Sequence, residues 1–110
     1  MDTDGTLIGM MEGPEGAPTF LIGSHQDSVR NGGRHAGILG IAPGWLAVEK
    51  LAADGIDLLF SIEVLIFAGE EGVRFATALM GPRAQAGVFD PAVPEMTDKV
   101  GQTLRARQGK

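Results

Sequence analysis

The chain lacks cysteine altogether, has one tryptophan, and has only two histidines among its 110 residues. Without cysteine, disulfide bonds and thiolate metal sites are both excluded. Aromatic residues make up only 5% of the sequence, whereas glycine is plentiful at 17 residues. This composition indicates tight turns and close backbone approaches rather than thick aromatic packing.

Other absences narrow the class of function. No apolar run approaches the roughly 20 residues that span a bilayer, and residues 1–4 are not a signal peptide. We therefore expect no membrane association and a cytoplasmic location. The net charge is −5, and the nine lysines and arginines are scattered, so no basic stripe is available to neutralise phosphates and no nucleic-acid partner is expected.

The hydrophobic pattern predicts an α/β domain that begins with a β-hairpin. Residues 6–12 and 19–22 read as strands on either side of the turn Gly13–Pro18, and the second strand is apolar enough to be central. Residues 61–68 form a β-branched run that is typical of a strand buried on both faces. With a helix between them, residues 19–68 make a βαβ unit in a mixed sheet.

The helix is indicated by four apolar residues that share one helical face: Ile41, Trp45, Val48 and Ala52. Pro43 is placed in its first turn, where the missing N–H has no cost. Asp54-Gly55 is the predicted stop. Further along, residues 75–86 predict a short helix that Gly81-Pro82 would break, and residues 101–108 are weakly helical.

Candidate chemical groups follow the two strands of the βαβ unit. His25 and Asp27 end the first strand, and Glu70 and Glu71 follow the second. Ligands of such units collect at the carboxyl ends of the strands, so these four groups should meet at one edge. A carboxylate beside a metal-bound imidazole orients the ring, which suits Asp27. The adjacent glutamates should diverge, so that one ligates a metal and the other accepts a proton.

Each of these motifs also has an ordinary structural explanation. Acidic pairs after strands are commonly solvated turns, and Gly32-Gly33 is most often a turn as well. Arg74 is most often a surface cation. The joint order and placement of the motifs, rather than any one of them, favours a metal site.

Longer motifs surround these residues and carry a family resemblance. They are GSHQDSV at 23–29, NGGRHAGILG at 31–40, EEGVRF at 70–75, Gly81–Gly87 and Met96–Leu104. Together they resemble the metal-dependent amidohydrolases of the M20 peptidase superfamily. Within it, the chain is most similar to the branch of N-carbamoyl-L-amino acid hydrolases and allantoate amidohydrolases. The resemblance covers nearly the whole chain.

The resemblance implies a role for each candidate residue. His25 and Glu71 match metal ligands, Glu70 matches the general base, and Asp27 matches the acid that orients the histidine. It also implies a zinc-peptidase-like α/β sandwich around a mixed sheet, with a pair of divalent zinc, manganese, nickel or cobalt ions. The implied reaction is hydrolysis of a C–N bond in a small ureido or amide substrate. Members are commonly homodimers through a second domain.

The chain departs from the family pattern at Ala36, where members carry an aspartate that bridges both ions. Alanine cannot ligate, which argues against a second ion, although the neighbouring His35 is a candidate substitute. With only His25 and His35, the chain also lacks the family's later histidine ligands. We therefore expect residues 1–110 to be a single partial catalytic domain without the dimerisation domain.

Two functional interpretations follow. The first is a hydrolase by resemblance that is incomplete or inactive as this chain alone. The second is a non-catalytic scaffold or binding and assembly domain, which Ala36 favours. In either case we expect exposed apolar strands, and self-association into a homo-oligomer would cover them.

Overall fold

The computed structural model describes residues 5–88 and 90–107. Within them the chain forms three strands, three α-helices and one short 3₁₀ helix. These are β1 (Leu7–Met11), β2 (Thr19–His25), α1 (Ile38–Ala53), β3 (Ser61–Phe67), α2 (Met80–Gln85), the 3₁₀ helix (Val93–Glu95) and α3 (Leu104–Arg107). No helix in these ranges is long and apolar enough to cross a membrane.

The three strands form a mixed sheet in the order β1-β3-β2. β2 and β3 run parallel and are joined through α1, which confirms the α/β class and the βαβ unit. β3 is the central strand, and its Ile62, Val64 and Leu65 are all buried. A strand that is apolar on both faces is covered best between two neighbours, which explains its central place.

The predicted hairpin is wrong, because β1 pairs antiparallel with β3 and not with β2. The connection from β1 to β2 crosses the start of β3 instead of folding back. There the N–H of Gly13 donates to Ser61 Oγ (3.0 Å) and the N–H of Ser61 donates to the Pro18 carbonyl (3.0 Å). The connection must span about 10 Å, because β1 and β2 are separated by the width of β3. Residues 12–18 are long enough to cover that distance.

Helix α1 begins earlier than the sequence suggests. Pro43 lies inside the helix, beyond its first turn, so its predicted position was wrong. The ring leaves the Leu39 carbonyl without its usual N–H partner at a point where Pro43 is exposed. The stop is as predicted, since Gly55 takes φ 63° and its N–H donates to the Ala52 carbonyl (3.2 Å).

Glycines bring α1 unusually close to the sheet. A side chain built at Gly44 would place its Cβ 2.8 Å from Ile22 Cγ2 of β2. The buried residues of α1 are Ile41 and Gly44. Trp45, predicted on the buried face, is 53% exposed, but its ring lies over Gly9 of β1. Small residues rather than bulky ones therefore set the distance between helix and sheet.

The C-terminal part has its own small core, formed by Phe75, Val93 and Leu104 with Met80 and Met96 packed against it. Helix α2 contains Gly81-Pro82, so the expected break is wrong. Pro82 is the third residue of this helix, where a backbone N–H would lack an intrahelical acceptor in any case.

Asp98 holds the segments of this small core together. Its Oδ1 accepts the N–H groups of Val100 and Gln102 (both 3.0 Å), and its Oδ2 lies 3.1 Å from Arg74 Nε and 3.5 Å from Arg107 Nη2. These contacts, led by the Gln102 N–H, hold the pKa of the Asp98 carboxyl below its usual value of 3.8. The charged form is therefore the one that the fold stabilises.

We expect Asp98→Asn to lower the free energy of unfolding at pH 7, because the neutral amide cannot replace a carboxylate that faces two guanidinium groups. A depressed folded pKa contributes stability above the unfolded value, and this contribution is lost as the pH falls through the folded pKa. The difference between wild type and variant should therefore shrink below about pH 4. Urea unfolding at pH 7 and pH 3.5 measures it.

The control for Asp98→Asn is Asp57→Asn, which alters an exposed carboxylate. Such surface changes usually stay within about 0.5 kcal/mol. A constant difference between wild type and Asp98→Asn at both pH values would contradict the prediction.

Candidate metal centre

The carboxyl ends of β2 and β3 lie side by side. The two strands are parallel, and the last pair in register is His25 with Phe67. The loops that follow the two strands therefore start at the same edge of the sheet. This places Asp27 and the Glu70-Glu71 pair near His25, as the sequence order predicts.

The imidazole of His25 is held in one orientation. Its Nδ1 lies 2.7 Å from the backbone carbonyl oxygen of Asp27. Because a carbonyl oxygen only accepts, Nδ1 must carry the proton and donate it to this bond. In the neutral ring with this tautomer, Nε2 is the atom with the free lone pair, and the side chain is only 14% exposed. A neutral imidazole with a free Nε2 is the form that binds metals.

Both glutamates face that nitrogen. Nε2 of His25 lies 3.6 Å from Glu70 Oε2 and 3.9 Å from Glu71 Oε1. The expectation that the two carboxylates diverge is wrong. β3 ends at Phe67, and Gly69 turns the chain with φ 61°, so the alternation of a strand no longer applies to the pair.

Backbone hydrogen bonds fix the glutamate loop. The N–H of Leu79 donates to the Glu70 carbonyl (2.7 Å), and Leu79 itself has φ 59°, which is rare for a branched side chain. The N–H of Glu71 donates to Asp27 Oδ2 (3.1 Å). Asp27 therefore contacts both halves of the site, through its carbonyl at His25 and through its carboxylate at Glu71.

The other carboxylate oxygen of Asp27 differs from Oδ2 in its hydrogen bonding. Asp27 Oδ1 is buried and has no hydrogen-bond partner among the described residues. It lies 3.4 Å from Nδ1 of His25, longer than a hydrogen bond of this type. In the structure, the imidazole therefore bonds directly to the backbone carbonyl of Asp27, whereas the sequence pattern indicated the Asp27 carboxylate.

The three side chains fit a divalent cation. Within residues 5–88 and 90–107, His25, Glu70 and Glu71 each offer a ligand atom, and these atoms lie within 4.8 Å of one another. Bonds of about 2.1 Å in a tetrahedral site separate ligand atoms by about 3.4 Å. The distances from His25 Nε2 to the two carboxylates, 3.6 and 3.9 Å, are slightly longer than this, so a small contraction would bring these donors to ligand spacing and leave further coordination positions open.

The sequence of the chain can be compared with those of known proteins. The chain is 41% identical over 94% of its length to an N-carbamoyl-L-amino acid amidohydrolase of Geobacillus stearothermophilus, of which it covers 25%. It is 38% identical over 96% of its length to an allantoate deiminase of Arabidopsis thaliana, of which it covers 21%. No protein-family model matches the chain.

A comparison of the fold with solved structures shows the same similarity. A hydantoinase/carbamoylase family amidase of Burkholderia ambifaria superposes with a TM-score of 0.88 and 32% identity, over 97% of this chain and 27% of that one. Over nearly its whole length, the chain is thus similar to amidohydrolases and amidases of this kind. It spans about a quarter of the length of the curated relatives it matches.

Two residues bear on the second ion that the amidohydrolase resemblance implies. Ala36 is half-buried and immediately precedes Gly37, which touches the His25 ring, so residue 36 lies near the site but offers no ligand. His35 is exposed and is not part of the metal-capable group within the described residues.

Two contacts of this site did not emerge from the sequence. Gly37, at the start of α1, packs against His25, and Ser24 Oγ donates to the Gly37 carbonyl (2.7 Å). Both residues lie within the family motifs, but nothing in their type indicates a contact across 13 residues. Only the docking of α1 on β2 brings them together.

Proposed function

We propose that this chain carries the metal-binding part of an amidohydrolase that cleaves a C–N bond in small ureido or amide acids. The observation that carries the proposal is the position of His25 Nε2 opposite two carboxylates at the ends of β2 and β3. The substrate class rests on the names of the relatives, which act on N-carbamoyl-L-amino acids or allantoate. Both compounds carry a ureido group and a carboxylate.

The roles follow from the donor set. His25 and Glu71 are the proposed ligands of a zinc, manganese, nickel or cobalt ion. Such an ion supplies a Lewis acid that polarises the scissile carbonyl and lowers the pKa of a water molecule. Glu70 is the proposed general base, because its carboxylate lies beside the ligands. Asp27 keeps the imidazole proton on Nδ1 and holds the Glu71 backbone.

We propose that one ion binds and that the chain alone does not turn over substrate. Three donors in the described residues supply one cation with open positions, and Ala36 supplies none for a second. Residues 1–110 would then be a single partial catalytic domain. The many exposed apolar side chains, such as Leu59 and Trp45, support self-association into a homo-oligomer.

A second candidate function is a non-catalytic scaffold or assembly domain. The observation that favours it is Ala36, since a site that has lost a carboxylate need not bind metal at all. The two candidates differ in a directly measurable way. The first requires metal binding at His25, whereas the second requires only the fold.

Calorimetric titration with Zn²⁺ and Mn²⁺ tests the proposal. We expect one ion per chain for the wild type. Ala36→Asp should tighten binding about tenfold, equal to about 1.4 kcal/mol, because it adds a charged donor beside the site. Ala36→Asn is the matched control, with similar size and no charge. In the presence of either ion, N-carbamoyl amino acids and allantoate should release no ammonia.

Each part of the proposal can fail separately. No heat of binding in the wild type would leave the scaffold as the function. Equal affinities of Ala36→Asp and Ala36→Asn would remove residue 36 from the site. Ammonia release by the wild-type chain would show that one ion is enough for turnover.

A further inference from the structure

Gly37 and His25 are in contact at the start of α1. Gly37 has φ 74° and ψ −59° and immediately precedes the helix. A Cβ built on Gly37 would lie 2.5 Å from the His25 carbonyl oxygen and 2.6 Å from both Cε1 and Nδ1 of the ring. The imidazole therefore rests directly on the bare backbone of Gly37, and no L side chain fits between them.

Ser24 fixes this contact from the strand side. Its Oγ donates a hydrogen bond of 2.7 Å to the Gly37 carbonyl oxygen. One turn further along α1, a Cβ on Gly40 would lie only 2.6 Å from the same Oγ. The end of β2 and the first turn of α1 are thus locked together, and neither can shift without moving the other.

The contact determines the direction of the ring. Nδ1 sits at the Asp27 carbonyl (2.7 Å), and the Nδ1–Cε1 edge lies against Gly37. With that edge fixed on one side, Nε2 is directed to Glu70 and Glu71. A side chain at position 37 would occupy the space of the imidazole and would turn Nε2 away from the carboxylates.

We propose that Gly37, clamped by Ser24, is a positioning residue that sets the orientation of His25 for metal binding. The inference rests on the proposed function, because the orientation matters only if a cation binds there. It goes beyond the ligand set, since Gly37 offers no side chain and acts entirely through the space that it leaves. A positive φ alone would also favour glycine, so the experiment must separate backbone strain from the contact.

Gly33 provides the control that separates the two effects. It also has a positive φ, 92°, but a Cβ built there meets no atom within 4 Å. Gly33→Ala and Gly37→Ala therefore both place an L residue at a positive φ that such residues rarely adopt. Only Gly37→Ala adds the collision with the imidazole.

In titrations of the full chain with Zn²⁺, Gly37→Ala should bind at least about tenfold more weakly than wild type, the loss typical of removing a group that orients a ligand. Gly33→Ala should bind within about twofold of wild type. Equal weakening in the two variants would overturn the proposal, because strain would then explain the whole effect.

A second readout needs no metal. The chain has only two histidines, so long-range ¹H–¹⁵N spectra contain two imidazoles, and His35→Gln assigns them. Wild type should show the His25 tautomer protonated at Nδ1. Gly37→Ala should shift the His25 resonances, whereas Gly33→Ala should superpose on wild type. Unshifted resonances in Gly37→Ala would overturn the proposal, even if the wild type binds no Zn²⁺ and the proposed function itself fails.

Ser24→Ala serves if Gly37→Ala does not fold, as judged by circular dichroism. It removes the hydrogen bond to Gly37 and creates no collision. We expect Zn²⁺ affinity to fall about three- to tenfold, the value of one hydrogen bond, with the same His25 resonances displaced. Ser28→Ala, at an exposed serine of the following loop, should change neither. A Ser24→Ala chain identical to wild type in both readouts would overturn the clamp.

Discussion

His25→Ala is expected to weaken Zn²⁺ binding at least about 100-fold, or about 2.7 kcal/mol. His25 contributes the nitrogen of the His25, Glu70 and Glu71 group, and its Nε2 lies within 4 Å of an oxygen of each glutamate. Without it, two carboxylates remain, and oxygen ligands alone suit harder cations than zinc. Calorimetry at pH 7 in a non-chelating buffer gives the affinity.

The chain offers its own control for this substitution. His35→Ala removes the other histidine, which is exposed and lies outside the metal-capable group in the described part of the chain. It should bind Zn²⁺ as wild type does. If His25→Ala and His35→Ala bound equally well, the site would have to lie elsewhere.

The same titration separates the proposed roles of the two glutamates. Glu71→Gln should weaken Zn²⁺ binding by about tenfold, because a charged ligand becomes neutral. Glu70→Gln should retain affinity within a few-fold, because a base need not coordinate the ion. The reversed order would exchange the roles of ligand and base between these neighbours.

Leu65→Ala is expected to lower the free energy of unfolding by about 2–5 kcal/mol. Leu65 lies in the central strand β3 and is only 2% exposed. Truncation removes its transfer free energy and leaves a cavity in the packing against one face of the sheet. Small domains are stable by about 5–15 kcal/mol, so much of the fold's stability would be lost. Urea unfolding followed by circular dichroism measures the change.

Leu59→Ala is the matched control, because it makes the same chemical change at a leucine that is 83% exposed. It should alter stability by less than about 0.5 kcal/mol. Similar losses in the two variants would mean that β3 is not the central packing element that the sheet order indicates.

The location of the candidate site could be predicted from the sequence because it depends on chain order and strand direction. Two apolar runs separated by a helix form parallel neighbours, and their carboxyl ends must then meet. That rule is enough to place His25 near the Glu70-Glu71 pair. It requires no knowledge of side-chain direction, which explains why it worked.

The predictions that were wrong all concern features that depend on packing across the sheet. The sequence pattern could not show that the β1–β2 connection bypasses β3, because the turn Gly13–Pro18 suits a hairpin equally well. It could not show that Pro43 sits inside α1, because propensity is weaker than the docking of that helix on β2. The convergence of Glu70 and Glu71 likewise depends on the turn at Gly69, after the strand has ended.

The sequence by itself determined the α/β class and the edge of the sheet at which the chemical groups collect. Both features follow from local periodicity and from the order of elements along the chain. The tertiary structure decided which atoms face each other: the Asp27 carbonyl rather than its carboxylate at Nδ1, both glutamates at Nε2, and Gly37 against the ring. These contacts join residues 2 to 46 positions apart, and only the docking of α1 and the pairing of β2 with β3 fix such distances.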